Sequence, residues 1–533
     1  MNIFKCFSRL LLLLLLFVFQ YVTFAIDGSV YKTFLECMSN RNSSDHVSSL
    51  IYNPNNSSYA STLQAYIRNK RFNTSSTLKP VIIVTPLHET HVQSTIVCTK
   101  TMGMNLRIRS GGHDFEGLSY VSDINFVLLD MSNIRSINVN IEDETATVQV
   151  GATIGELYYN IWNKSKVHAF PAGVCPTVGI GGHISGGGYG VLIRKYGLTV
   201  DNIIDATIVD VNGRVLTRKS MGEDLFWAIR GGGGASFGVI ISYKLHLVRV
   251  PESVAVFRVT KTLEQNLTYI IDSWQRVADK IDKDLFIRLN LKPDHTKNTI
   301  HATFTAFFLG NSERLVNVMQ LGFPELGIQT SDCKTMSWIE SVLFWSSNVN
   351  DPVEILLQRR FSPKFSKRKS DYMQTLIPKQ AFESIWKKMV ELRVVELVFN
   401  PYGGRMSEIG ESETPFPHRA GNIFKIQYSV NWDEDGQEAE SYYVNQSRVL
   451  YEFMTPYVSK NPREAYLNYR DIDIGTSVVG NNSYEDGKVY GEKYFKGNFV
   501  RLVKVKTMVD NDNFFTNEQS IPILPMRKNN MGK

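Results

Sequence analysis

The sequence has no basic or acidic block. Its formal charge is +6, and two of the positive residues, Lys5 and Arg9, lie at the extreme N-terminus. A mild, scattered charge gives no reason to expect a nucleic-acid partner. Past the N-terminus no apolar run is long enough to span a bilayer, so no membrane anchor is expected. There is no internal repeat and no long low-complexity segment. The glycine clusters contain no G-x-G-x-x-G, and no G-x-x-x-x-G-K-[ST] occurs, so nucleotide binding of the Rossmann or P-loop kind is excluded. His88-Glu-Thr-His91 is one residue short of H-E-x-x-H and makes no helical zinc pair, and no metal site is expected. Gly234-Ala-Ser236-Phe-Gly238 spells the hydrolase pattern G-x-S-x-G in a reversed context, with a helix before it and a strand after it. It reads as a backbone turn.

What is present is a globular composition. With 533 residues, 43% of them hydrophobic, the chain can bury a large core and is long enough for two or three lobes. Lys5 and Arg9 precede an uninterrupted apolar run, Leu10 to Phe19, and Thr23-Phe24-Ala25 offers small residues for cleavage. Residues 1–25 therefore read as a secretory signal peptide, with apoplast and vacuole both open as destinations. Cys6 leaves with this leader. Cys37, Cys98, Cys175 and Cys333 remain, and every pairing among them is open. Sequons begin at Asn42, Asn55, Asn56, Asn73, Asn163, Asn266, Asn445 and Asn481, which in a secreted chain suggests glycosylation.

Residues 26–76 are polar, with helical spacing at Tyr31–Met38 and Ser61–Asn69. Val81–Val84 reads as a buried strand and His88–Met102 as a helix. Leu106–Arg109, Phe126–Asp130, Ser136–Val139 and Thr145–Val150 read as strands, and Thr153–Asn163 as a helix. Asn212-Gly213, between the apolar runs Ile203–Asp210 and Arg214–Thr217, is a hairpin signal. A short helix at Leu225–Ile229 and a strand at Val239–Leu247 follow, so this part is α+β. Pro251 marks a boundary. Beyond it Leu285–Leu291 alternates, with Leu285, Ile287, Leu289 and Leu291 on one side. Asn422–Trp432 alternates too, with Lys425, Gln427 and Ser429 on one side. That is the pattern of an antiparallel sheet with one polar face.

Two stretches are dense in glycine: Phe170–Gly190, FPAGVCPTVGIGGHISGGGYG, and Arg109–Gly117, RSGGHDFEG. Glycine at this density is costly in a helix or strand and suits backbone that turns sharply or lies against a ligand. Together, with the tail motif YLNYRDIDIG, they resemble the berberine-bridge-enzyme-like family of plant flavoproteins, in the vanillyl-alcohol-oxidase superfamily. The resemblance runs from about Cys37 to Pro522. It implies FAD joined twice to the protein, at the flavin 8α-methyl by His113 and at C6 by Cys175. It also implies a Cys37–Cys98 bridge, with Cys333 free. The implied fold is α+β and two-lobed. An FAD-binding domain at 77–250 is completed by segments 26–76 and 466–533, and a substrate-binding domain at 251–465 turns the polar face of an antiparallel sheet towards a pocket over the flavin. Bare N–H groups of Ser110, Gly111, Gly112, Gly179, Gly181 and Gly182 suit the FAD pyrophosphate. Arg109 would supply charge there or serve a structural ion pair.

The resemblance further implies that Tyr469, in L-N-Y-R-D, is the base, that Tyr189 is a second pocket tyrosine and that Gln427 touches substrate. A free phenol titrates near ~10, too high for a base at neutral pH. Lys425 is the implied cation that lowers it. Val178, three residues after Cys175, is small and implies access of O₂ to the flavin, hence hydrogen peroxide as product. Phe115 stands where the family often has tyrosine, which makes the wall more apolar and favours a prenylated phenolic acid or an alkaloid. SMGEDLFWAIRGGGG and NPREAYLNYRD look like cannabinoid-synthase-type members, whereas Lys425 and Gln427 follow the alcohol-oxidising pattern. The expectation is a secreted, bicovalent FAD oxidase of plant specialised metabolism. It would act as a monomer on a small aromatic substrate with O₂, with ring closure after hydride abstraction. The alternatives are a primary-alcohol oxidase of monolignols or oligosaccharides, and a non-catalytic secreted defence flavoprotein.

Overall fold

A computed structural model describes residues 28–42, 46–359, 362–478 and 483–525. The expected leader, residues 1–25, and the sequon asparagine Asn481 lie outside the described residues.

Continuous apolar runs build the first sheet. Ile82–Val84 and Phe126–Asp130 are buried along their whole length, as strands covered on both faces must be. They pair in parallel. Asn105–Arg109 lies beyond Phe126–Asp130, and Ile51–Tyr52 pairs antiparallel at the other edge. Helix Glu89–Thr101 makes the crossover, and its Cys98 is bridged to Cys37 in the helical stretch 28–41. Cys333 is free. A second, antiparallel sheet joins Ile137–Asn140, Thr145–Gln149, Val239–His246, Ile203–Val209 and Val215–Thr217. The Asn-Gly hairpin forms there, with Gly213 at φ +76° and Asp210 Oδ1 accepting from the N–H groups of both Asn212 and Arg214. Helix Ile154–Lys164 opens on a reciprocal cap, in which Glu156 N donates to Thr153 Oγ1 at 3.2 Å and Thr153 N to Glu156 Oε2 at 2.8 Å.

After Pro251 the pattern becomes one of alternation, and the strands form a seven-stranded antiparallel sheet. Its order is Cys333–Met336, Val254–Lys261, Thr299–Phe308, Leu285–Asp294, Glu396–Pro401, Phe424–Trp432, Phe365–Met373. Leu285, Ile287, Leu289 and Leu291 share a core with Trp274 and Trp386, from helices Leu267–Val277 and Lys379–Leu392. The other face, carrying Arg288, Lys425 and Gln427, looks into the first lobe. The C-terminal segment then returns. Helices Tyr484–Phe495 and Phe499–Val509 place Tyr490, Leu502 and Val503 in the first lobe's core.

Three details differ from the sequence reading. The helix expected at Ser61–Asn69 spans only Tyr59–Gln64, because the residues after it are recruited to the RSGGH loop. There Arg68 Nε donates to Gly111 O at 3.3 Å and Asn69 Nδ2 to Phe115 O at 2.9 Å. The helix at Leu225 is preceded by a separate helical turn from Arg218, the two broken apart by the non-helical Gly222 (φ +75°, ψ 170°). Of the sequon asparagines, Asn55, Asn56, Asn73, Asn163, Asn266 and Asn445 are exposed. Asn42 is buried, and its Nδ2, the atom a glycan would occupy, donates to Met38 O at 2.9 Å, so a glycan is not expected there. No helix among the described residues is long and apolar enough to cross a membrane.

Candidate active site

A cavity of about 520 Å³ runs between the two lobes. Its floor is made where the two glycine stretches touch. A Cβ on Gly111 would lie 2.3 Å from Gly179 N, and one on Gly179 would lie 2.1 Å from Ser110 Oγ, so neither position tolerates a side chain. Gly112 sits at φ +69° against Tyr66 O. Gly182 is different. It lines the cavity, and a Cβ there would meet nothing within 4 Å. The missing side chain thus leaves room in the cavity itself, which fits an extended ligand lying along bare backbone. Ser110, Gly181, His113, Cys175 and Val178 also line this space.

Arg109 does not. It is fully buried outside the cavity, where its Nε donates to Asp130 Oδ2 at 2.9 Å and its terminal nitrogens to Leu63 O and Thr62 O. Of the two roles open to it, the structural ion pair is the one realised. Strand pairing sets Arg109 directly beside Asp130, and a buried guanidinium needs that carboxylate.

His113 and Cys175 come from different loops and meet on one hydroxyl. Thr177 Oγ1 lies 2.9 Å from His113 Nε2 and 3.7 Å from Cys175 Sγ. Burial, aided by the nearby Arg68 guanidinium, pushes the His113 pKa down to about 3. The imidazole is therefore neutral at physiological pH, as a nitrogen nucleophile must be. Fitted to FAD, this donor set places an uncharged imidazole and a thiol on the wall of the glycine cradle.

At the far end the sheet's polar face meets the C-terminal segment. The hydroxyls of Tyr189 and Tyr469 are hydrogen-bonded to each other. Lys425 Nζ packs on three rings, 3.5 Å from the centroid of Tyr189, 3.6 Å from Tyr466 and 4.5 Å from Tyr469. It is fully buried and has no hydrogen-bond partner among the described residues. Burial holds its pKa well below 10.5, with Arg288 adding to the effect. Burial, then Tyr189, raises Tyr469 well above 10, and Arg288 is the cation that opposes this. The expected depression of the tyrosine pKa by Lys425 is thus not a standing feature of the site. Burial disfavours the charged form of both the lysine and the tyrosine, which suits the exchange of one proton between them.

Gln427 and Arg288 reach the cavity from strands Phe424–Trp432 and Leu285–Asp294, on either side of Glu396–Pro401, and Arg288 Nε donates to Asn400 Oδ1 of that middle strand at 2.7 Å. The sequence reading did not assign roles to Arg288 and Tyr466. Arg288 was visible as a charged residue on the non-core side of an alternating strand, and Tyr466 as an aromatic three residues before Tyr469. Phe115 packs edge-on against Tyr469, with ring centroids 6.1 Å apart. The Gly234–Gly238 turn is a 3₁₀ turn, Gly234–Ser236, leading into strand Val239–His246, and Ser236 and Gly238 line the cavity.

Residues 80–218 match the FAD binding domain family and residues 465–522 the family described as berberine and berberine like. Berberine bridge enzyme-like 21 of Arabidopsis thaliana is 55% identical over 504 residues, 93% of this chain and 93% of that protein. The chain belongs to the berberine bridge enzyme-like family. Among solved structures, BBE-like 28 from Arabidopsis thaliana superposes with a TM-score of 0.88 at 46% identity, over 93% of this chain and all of that one. Phl p 4, a grass pollen allergen with glucose dehydrogenase activity, superposes with a TM-score of 0.88 at 43% identity, over 92% of this chain and 100% of that one. An isoleucine-to-valine variant of Phl p 4 is a glucose oxidase, whereas the wild type is a glucose dehydrogenase. As a family member this protein is an FAD-linked enzyme of the oxidase type, with the α+β two-lobed fold of the vanillyl-alcohol-oxidase superfamily.

Proposed function

We propose that this protein is a secreted oxidase that holds FAD through His113 and Cys175, removes hydride from a carbon bearing a hydroxyl group and passes the electrons to O₂, releasing hydrogen peroxide. The observation that carries the reading is the Tyr189–Tyr469 hydroxyl pair with Lys425 packed on both rings. FAD, when bound, supplies the hydride acceptor. The chain's part is to hold the carbon in place and move the proton. Oxidising an alcohol to a carbonyl also releases the O–H proton, and the tyrosine pair is the acceptor for it. The pair first yields a proton to Lys425, so the phenolate that forms faces the ammonium that forms. Gln427 and Arg288 offer donors to further substrate oxygens, which suits a substrate with several hydroxyl groups. The cavity position of Val178 supports O₂ as acceptor, by analogy with the valine variant of Phl p 4. Glycans at exposed sequons, a cleaved leader and action as a monomer complete the proposal.

A second reading rests on Phe115. Its ring walls the pocket beside Tyr469, and the Arg368 guanidinium lies 5.1 Å from it. This apolar wall suits a prenylated phenolic acid or an alkaloid, with ring closure following hydride loss. Anaerobic mixing of the purified flavoprotein with coniferyl alcohol, oligosaccharides, prenylated phenolic acids and benzylisoquinoline alkaloids separates the two. Bleaching of the visible flavin band by an alcohol or sugar supports the first reading. Bleaching only by a phenolic acid or alkaloid overturns it in favour of the second. No bleaching by any of them, with flavin bound, favours the non-catalytic reading.

A further inference from the structure

Strand Phe365–Met373 carries two buried lysines that belong to no part of the mechanism above. Lys367 is 1% exposed at its side chain, and Glu116 and Asp471, which it bridges, are 0% and 2% exposed. Its Nζ donates to Glu116 Oε1 and, at 2.7 Å, to Asp471 Oδ1. Lys369 Nζ donates to Asp471 Oδ2 at 2.6 Å and lies 2.9 Å from Asp473 Oδ2. Arg71 closes the cluster on Glu116 at 3.3 Å, and Arg448 closes it on Asp473 at 2.6 Å.

The anions sit at telling places in the chain. Glu116 is the residue after Phe115, and Asp471 is two residues after Tyr469. One lysine of the substrate lobe therefore ties together the backbone that presents the apolar wall and the backbone that presents the candidate base. The neighbouring residues do the same. Asn69 Nδ2 donates both to Phe115 O and to Ser366 O, and Tyr466 N donates to Ser370 Oγ at 2.8 Å. A buried cluster of this kind is a poor source of stability, since desolvation consumes most of the Coulomb gain. What it does supply is a fixed geometry, because each charge loses heavily if its partner moves away.

We propose that Lys367 is a positioning residue: by bridging Glu116 and Asp471 it sets where Tyr469 and Phe115 stand relative to each other and to Tyr189. This deepens the function proposed above and rests on Tyr469 belonging to the proton-accepting pair.

The test is the double variant Lys367→Met/Glu116→Gln, which removes one charge of each sign and leaves Asp471 paired with Lys369. Bound flavin is expected to be retained. Anaerobic flavin reduction by whichever panel alcohol reduces the wild type is expected to slow by about 10- to 100-fold, the usual cost of an ångström-scale misplacement. A second readout needs no substrate. The ultraviolet tyrosinate titration of Tyr469, taken as the difference between each protein and its Tyr469→Phe counterpart, is expected to move to higher pH as the phenol leaves the Arg288 guanidinium, the cation that opposes its raised pKa. Lys367→Arg is expected to recover part of both effects. A variant with lower Tm but unchanged reduction rate per bound flavin and an unchanged tyrosinate titration overturns the proposal. If the double variant does not fold, Asp473→Asn at the cluster's rim decides. A shift of the same sign but smaller supports the proposal, and an unmoved titration refutes it. If no alcohol bleaches the wild type, the functional reading fails, while the titration still tests the positioning role.

Discussion

Lys425→Met is expected to make the protein more stable and less active. The side chain is fully buried, its Nζ has no hydrogen-bond partner among the described residues, and burial holds its pKa well below 10.5. A buried polar group without a partner costs about 1–3 kcal/mol, which methionine of similar volume recovers. The pH dependence has a definite sign. Below 10.5 the unfolded chain binds a proton that the folded chain refuses, so stability falls with decreasing pH by about 1.4 kcal/mol per unit until the folded pKa is reached. The methionine variant lacks that slope, and its advantage grows as pH falls. Activity moves the other way. At roughly 4 Å and an effective dielectric of about 20, a unit positive charge stabilises a phenolate by about 4 kcal/mol, or about 3 pK units. Without it the pH at which flavin reduction turns on rises by about 2–3 units, and the rate at neutral pH falls about 100- to 1,000-fold. Thermal melts across pH and anaerobic stopped-flow reduction read both effects. A variant that keeps the neutral-pH rate with an unmoved pH profile, or that loses stability together with activity, refutes the reasoning.

Gly182→Ala is expected to leave Tm unchanged or slightly raised while lowering flavin content, since its methyl group enters the cavity and touches no protein atom. Gly112→Ala is the contrast. Its φ of +69° and the 1.8 Å approach to Tyr66 O predict a loss of several kcal/mol, read as a failure to purify folded protein. Val178→Ile is expected to slow flavin reoxidation by O₂ about tenfold or more while anaerobic reduction is unchanged, as one added methylene is worth ~1–3 kcal/mol in a tight pocket. Equal reoxidation rates would sink the proposed access route. His183, buried and bonded to Thr199 Oγ1 at 3.0 Å, has its pKa pushed down to about 4. The unfolded chain gains that proton first, so stability is lost as pH falls from 6.5 towards 4, and His183→Gln is expected to flatten acid melting curves in that window.

The sequence determined the backbone of this protein wherever the local signal was strong. Continuous apolar runs became the buried parallel strands, alternation became the antiparallel sheet, and Asn212-Gly213 became its hairpin. The glycine stretches marked the cradle, because only bare backbone tolerates the approach of Gly111 to Gly179. Alternation alone put Lys425 and Gln427 on one face, since the side-chain period of a strand is two. Tertiary structure decided which charges act and which merely hold. Arg109 was ambiguous until strand pairing set it beside Asp130. Lys425 offered an unopposed positive charge only in sequence, because burial is a property of the fold and disfavours that charge. The meeting of His113 with Cys175 on Thr177, of Tyr189 with Tyr469, and of Lys367 with Glu116 and Asp471 joins residues far apart in the chain. Local propensity carries no information about such pairs. They exist because folding brings the glycine loops, the C-terminal segment and strand Phe365–Met373 together.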